Sequence, residues 1–175
     1  MKWTDEIVNL VFVKQALADV DKTKLWPHHL PNTGAPLAEI NKAESLLDFG
    51  IDAEFKDFLL AADGWSGFYQ EVDLFGTEDL IGKKAAYAHT ILGALDDSAI
   101  RESGVGRFDL FPIAVSAHDR DIFAMTKPHC KTPGEVFWFS GGLVDKFSSF
   151  AEFFLAMVDY NREEIVFFSN RDQSL

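Results

Sequence analysis

A single cysteine, Cys130, in 175 residues excludes an internal disulfide, so the chain must hold together by packing alone. One lone thiol suits a reducing compartment. No stretch approaches the roughly 20 consecutive apolar residues that span a bilayer; the longest apolar clusters, such as 136–139, are strand-sized. The opening residues Met1-Lys2-Trp3-Thr4-Asp5-Glu6 lack the apolar run of a signal peptide. These absences predict a cytoplasmic protein. Basic residues are also scarce, with 16 Lys and Arg against 28 Asp and Glu and a formal net charge of −12. Nucleic-acid binders gain affinity by neutralising phosphates with Lys and Arg, so this balance argues against nucleic acid and equally against an anionic membrane surface.

The motifs of common chemistries are missing too. Gly104-Val105-Gly106 lacks the third glycine and the preceding strand of a dinucleotide loop. No glycines flank Ser116 to make a nucleophile elbow. Neither a His-Glu-x-x-His string nor a cysteine pair offers a zinc site. The expectation is a protein without cofactor, without metal and without catalytic activity.

What remains is a large apolar fraction, 47% of the chain, weighted toward 17 Phe. Each Phe buries roughly 150–250 Å², so one packed domain over residues 1–175 is expected. The acidic balance suits a basic protein partner, whose association opposite fields accelerate; it also keeps a protein soluble with no partner at all. The spacing predicts a helix over 5–20 capped by Thr4, a connector at 25–36 that holds three of the six prolines, and a helix over 36–48 ended by Gly50. A third helix starts at the Asp52 cap and stops at Gly64. Then come a strand at 69–75, a mixed stretch at 80–103 with one or two short helices or a long loop, and strands at 110–115, 122–126 and 135–139. A short piece follows at 143–147. A last helix starts at Ser149, whose spacing to Glu152 is that of a capping box, and 165–168 reads as a final strand or docked tail. Helices, then strands, then a helix, without βαβ alternation, give an α+β fold: an antiparallel sheet with helices packed mainly on one side.

Candidate chemistry is sparse. His28 and His29 are neighbours that point apart, poor joint ligands in a loop. His129-Cys130 is likewise a neighbour pair, flanked by Lys127 and Lys131, which would lower the thiol pKa, although a lone Cys is more often a small packing residue. His118-Asp119-Arg120-Asp121 suits a general base, a magnesium pair on one strand face, or a plain β-turn. Acid clusters lie among the aromatics Trp65, Phe68 and Tyr69. Carboxylates mixed with aromatics are what a patch for a basic partner contains, though such clusters also occur on plain solvated faces. The candidate partner-binding residues are Asp63, Trp65, Glu71, Asp73, Asp96, Asp97, Asp119 and Asp121.

Taken in order, several of these segments resemble the SUKH superfamily, which comprises immunity proteins and fungal cell-wall synthesis regulators. Glu39-x-x-x-x-Glu44-x-x-Leu47, followed by Ile51-Asp52-Ala53-Glu54-Phe55-Lys56-Asp57-Phe58-Leu59 and the Asp63-Gly64 end, resembles its acidic helix and aromatic-rich helix. Phe111-Pro112-Ile113-Ala114 resembles its Pro-Ile strand, Gly134-Glu135-Val136-Phe137-Trp138 its Gly-x-Val strand, and Phe147-Ser148-Ser149-Phe150-Ala151-Glu152-Phe153-Phe154 its closing helix. The match covers a core of about 36–160, leaving an extra N-terminal helix and a short C-terminal tail. Asp52 stands where the family usually has Pro, His118-Asp119-Arg120 replaces a glycine-rich turn, and 80–108 matches nothing in the pattern. The resemblance implies an α+β fold without a catalytic centre. It also implies a protein-binding role, most often as an immunity protein that blocks a toxin, here a basic toxin domain and possibly a nuclease. A monomer or weak homodimer is expected. A regulatory or scaffold module, or a hydrolase using residues 118–121, are the alternatives.

Overall fold

The computed structural model describes residues 1–172. In chain order the elements are α1 (Trp3–Val20), α2 (Leu37–Leu47), α3 (Ala53–Ala61), β1 (Trp65–Tyr69), β2 (Val72–Leu74), α4 (Thr77–Ile81), α5 (Lys83–Ala94), α6 (Asp97–Ser103), a 3-10 turn (Arg107–Asp109), β3 (Leu110–Ser116), β4 (Asp121–Thr126), β5 (Val136–Ser140), β6 (Gly142–Phe147) and α7 (Phe150–Asp172). The six strands form one antiparallel sheet in the order β1-β2-β3-β4-β5-β6, so each strand pairs with its successor. The fold is α+β, as expected.

Register fixes the two faces of the sheet. Leu74, Ala114, Phe123 and Trp138 lie side by side on one face. There the ring of Phe153 from α7 stands 5.1 Å from Phe123 and 5.8 Å from Phe68. Asp73, Val115, Ile122 and Phe139 line the other face, where α5 packs against β3 and β4. Every residue of β3 is buried, which is why it reads as a continuous apolar run rather than an alternating one. Beyond α7 lie α1 and α3. Trp3 closes that layer, its ring 5.6 Å from Phe58, 5.3 Å from Phe150 and 5.4 Å from Phe154.

Several boundaries differ from expectation for local reasons. Helix α1 starts at Trp3, with Lys2 as an N-cap that makes no side-chain bond; Thr4 lies inside the first turn. Helix α2 ends at Asp48 in the left-handed conformation (φ 61°), before Gly50 is reached. Asp52 caps α3 as expected, its Oδ1 accepting from the N–H groups of Glu54 (2.9 Å) and Phe55 (3.2 Å). That helix stops at Ala62 rather than Gly64. Gly64 instead takes φ 82° at a chain crossing so close that a Cβ would lie 2.5 Å from the Gly76 nitrogen. The strand expected over 69–75 is a hairpin: β1 and β2 meet at a turn in which Gln70 takes φ 49°. The mixed stretch after residue 76 holds three helices, and 143–147 is the body of a paired strand, β6. Residues 165–168, expected as a strand or tail, continue α7. Ser149 starts α7 by accepting from the Glu152 N–H (3.3 Å), but Glu152 Oε2 returns to the N–H of Ser148 (2.6 Å), not to that of Ser149.

The proline-rich connector is organised by one buried carboxylate. Asp21 Oδ1 accepts from the Leu25 N–H (2.9 Å) and the Thr23 hydroxyl (3.2 Å), and Oδ2 from the Trp26 N–H (3.0 Å); Oδ2 also meets His28 Nε2 at 3.1 Å. His28 is thus held as a partner of Asp21. Burial pushes the Asp21 carboxyl up, but the backbone and side-chain hydrogen bonds outweigh it and bring the pKa down to about 2.

Two stability measurements follow. Phe153→Ala empties the space between sheet and helices and should cost about 3–5 kcal/mol in urea unfolding. Because the folded pKa of Asp21 is depressed, its contribution is full above the unfolded value of 3.8 and is lost as pH falls toward about 2. Asp21→Asn should therefore be less stable at neutral pH and lose less stability than the native chain between pH 4 and 2.

Candidate functional site

Antiparallel order decides which turns share an end of the sheet. The β1–β2 turn at 70–71, the β3–β4 turn at 117–120 and the β5–β6 turn at Gly141 all lie at one end, since Val72 pairs with Ser116 and Asp121 with Ser140. The junction of α5 and α6 reaches the same end: Leu95 and Asp96 share a cleft of about 320 Å³ with Arg120 and Gly141. Helix α7 reaches it as well. Tyr160 lies 5.6 Å from the Trp138 ring and 5.9 Å from Tyr69. Glu164 accepts from Gln70 Nε2 (2.7 Å) and from the Trp26 indole (3.1 Å).

The result is an aromatic triad ringed by carboxylates. Tyr69 is buried, while Trp138 and Tyr160 are half-buried. Burial, then the charges of Glu164 and Asp121, push the Tyr69 hydroxyl well above its ordinary pKa. Burial, then Asp145 and Glu163, push Tyr160 the same way. In both, burial is the larger cause and the neighbouring carboxylates add to it. Beneath it, Lys14 is buried with its ammonium donating to the Gly67 carbonyl (2.5 Å), and burial lowers its pKa to about 8 against the pull of Glu164. Aromatic faces beside carboxylates are suited to Lys and Arg side chains, through ring quadrupole and charge together.

Five of the eight candidates from sequence gather here. Asp96, Asp97 and Asp119 are exposed and Glu71 is half-buried in the hairpin turn. Asp97 pairs with Arg107 at 3.0 Å. Asp121 is partly structural, its Oδ1 accepting from the Trp138 indole at 2.7 Å. His118 and Asp119 belong to a turn held by Ser116, whose hydroxyl oxygen accepts their N–H groups at 3.3 and 3.1 Å. Asp119 and Asp121 therefore do not share a strand face, contrary to the reading of 118–121 as a metal pair.

The other three candidates lie elsewhere. Asp63 accepts from the Thr77 N–H (2.6 Å) and hydroxyl (3.0 Å) and so secures the first turn of α4. Trp65 is 1% exposed and donates its indole N–H to the His29 carbonyl (2.8 Å). Asp73, on the opposite sheet face, accepts from the Gly67 N–H (2.8 Å) and pairs with Lys84 (2.9 Å). Sequence reasoning missed Trp138, Asp145, Tyr160, Glu163 and Glu164. Strand register and the unbroken run of α7 bring them together, and the strand or tail expected at 165–168 hid the one available signal, the helical spacing of Tyr160 and Glu164.

The profile of the SMI1 / KNR4 family (SUKH-1) matches residues 34–156, well over half of the chain. The chain belongs to this family. No curated protein matches it significantly. The SUKH-1 match begins after α1 and ends within α7, so Tyr160, Glu163 and Glu164 lie beyond the stretch it covers. Among the described residues, no helix is long and apolar enough to cross a membrane.

The two acids of the β3–β4 turn should behave differently on substitution. Asp121→Ala strips the Trp138 indole of its acceptor and should cost about 1 kcal/mol, with a change in tryptophan emission. Asp119→Ala should stay within about 0.5 kcal/mol of the native chain. Urea titration followed by fluorescence distinguishes them.

Proposed function

We propose that this chain is an immunity-type binding module that neutralises a basic toxin domain by covering that domain's cationic surface with the acidic turn end of its own sheet. The observation that carries the reading is the ring of Asp121, Asp145, Glu163 and Glu164 around Tyr69, Trp138 and Tyr160, with the exposed Asp96 and Asp119 at the same end of the sheet. Membership of SUKH-1 supports an immunity-like or regulatory binding role, and the net charge of −12 supports a basic partner. Such a field steers encounter and fixes orientation, while the aromatic faces supply the desolvated centre that binding energy needs. Where the toxin is a nuclease, the same carboxylates take the place of substrate phosphates and block the catalytic face directly. The role needs no cofactor and no reaction, only a cytoplasmic 1:1 complex.

Stopped-flow association with a basic toxin domain tests this. The rate should fall steeply as salt rises. Reversal of charge in Asp96→Lys/Asp119→Lys/Glu163→Lys should slow association at low salt at least tenfold. An association rate indifferent to salt and to these substitutions would contradict the electrostatic reading.

A further inference from the structure

The opposite end of the sheet carries a different arrangement, independent of the proposed function. There the 3-10 turn delivers Asp109 to the start of β3, and the β4–β5 connection folds back against it. The Lys127 N–H donates to the Asp109 carbonyl (2.8 Å), and the Cys130 N–H donates to the Lys127 carbonyl (3.1 Å), closing a tight turn. On such a turn neighbouring side chains converge, unlike neighbours in an extended chain. His129 Nε2 meets Asp109 Oδ1 at 2.9 Å, and the Cys130 thiol lies 3.6 Å from the Asp109 carbonyl oxygen. The flanking lysines do not activate the thiol: burial and then Asp109 hold its pKa up.

We infer that Asp109, His129 and Cys130 form a zinc-class metal site that clamps the β4–β5 connection to the start of β3. One carboxylate oxygen, one imidazole nitrogen and one sulfur lie within 4.8 Å of one another, from segments about twenty residues apart. Among the described residues this is the one such group of three. A tetrahedral ion with bonds of about 2.0–2.3 Å needs its donors about 3.3–3.8 Å apart, so a small rotation of the exposed His129 ring and the Cys130 thiol completes the set. The carboxylate is already oriented: its second oxygen, Oδ2, accepts from the Gly106 N–H at 3.2 Å, the kind of outer bond that steadies a ligand. The donor set selects the metal. Calcium and magnesium take oxygen ligands, whereas mixed nitrogen, sulfur and oxygen donors suit Zn²⁺ and its spectroscopic surrogate Co²⁺. Lys127 does not occupy the position, because its ammonium donates to the Phe108 carbonyl (2.7 Å) and sits over the Phe49 ring. On binding, the thiol proton leaves to solvent and the sulfur coordinates as thiolate. The fourth position stays open to water or a further ligand.

The test is titration of the chelator-treated full chain, with Cys130 reduced, first with Co²⁺ and then with Zn²⁺. A thiolate-to-cobalt charge-transfer band should grow to one equivalent, bleach on adding Zn²⁺, and vanish in Cys130→Ser. His129→Ala and Asp109→Asn should each weaken cobalt binding at least tenfold. Absence of the band in the native chain overturns the site. So does a band whose affinity survives both His129→Ala and Asp109→Asn, since that is binding by a thiol alone. His129 is exposed, so its variant remains a fair test if Asp109→Asn misfolds, as thermal melting of each variant will show.

Discussion

The ring of Phe153 stands between the sheet and the helical layer, 5.1 Å from Phe123 on β4, 5.8 Å from Phe68 on β1 and 5.7 Å from Phe147 at the end of β6. Its neighbours on α7, Phe150 and Phe154, turn the other way, toward Trp3 and Phe58. Each such ring pair adds about 0.5–1.5 kcal/mol beyond the area it buries, and all these phenylalanines are buried. Helix α7 is thereby pinned in azimuth and in height. Asn161, also fully buried, adds a directional lock by donating to the Phe68 carbonyl at 3.2 Å. Everything further along α7 follows from that placement: Tyr160 must lie against Trp138 and Tyr69, and Glu164 must reach Gln70 and Trp26.

With the scaffold set by aromatics, two groups of acids stand out. Asp21, Asp52, Asp63 and Asp73 accept backbone N–H groups and so spare those donors an unsatisfied burial. They hold the connector, α3, the first turn of α4 and the β1 bulge. The other population crowds the turn end of the sheet, where Asp96, Asp97 and Asp119 face water. Part of the acidic complement is thus internal cement and part lies where turns, α6 and α7 meet, while acids such as Asp5, Asp19 and Glu39 are exposed elsewhere. The far end, with Asp109, His129, Lys127 and Lys131, has a mixed character suited to a local clamp rather than to a basic surface.

Periodicity located the strands of the second half because they are apolar and bounded by turn residues; β3, β4 and β5 lie within a residue or two of expectation. The Asp52 cap was legible because its chemistry is local. The 69–75 segment misled because Gln70-Glu71 is not a strong turn pair, and its φ of 49° at Gln70 is imposed by the pairing of β1 with β2. Trp65 and Asp73 looked like surface residues beside acids, yet only the tertiary structure decides that one faces the core and the other Lys84. Trp138 and Tyr160, which no charge or motif marks in the sequence, are half-buried at the turn end. Adjacent His129 and Cys130 read as divergent because an extended chain was assumed where the backbone turns.

Hydrogen–deuterium exchange of the chain, alone and with the basic toxin domain proposed as its partner, tests the central claim most directly: that the acidic turn end is the binding face. Protection gained at 70–71, 95–97, 117–121 and 141–145, with the β4–β5 connection at 127–133 unchanged, is the result this account requires. Protection confined to 127–133 or to the exposed faces of α2 and α3, with the turn end exchanging as before, would contradict it.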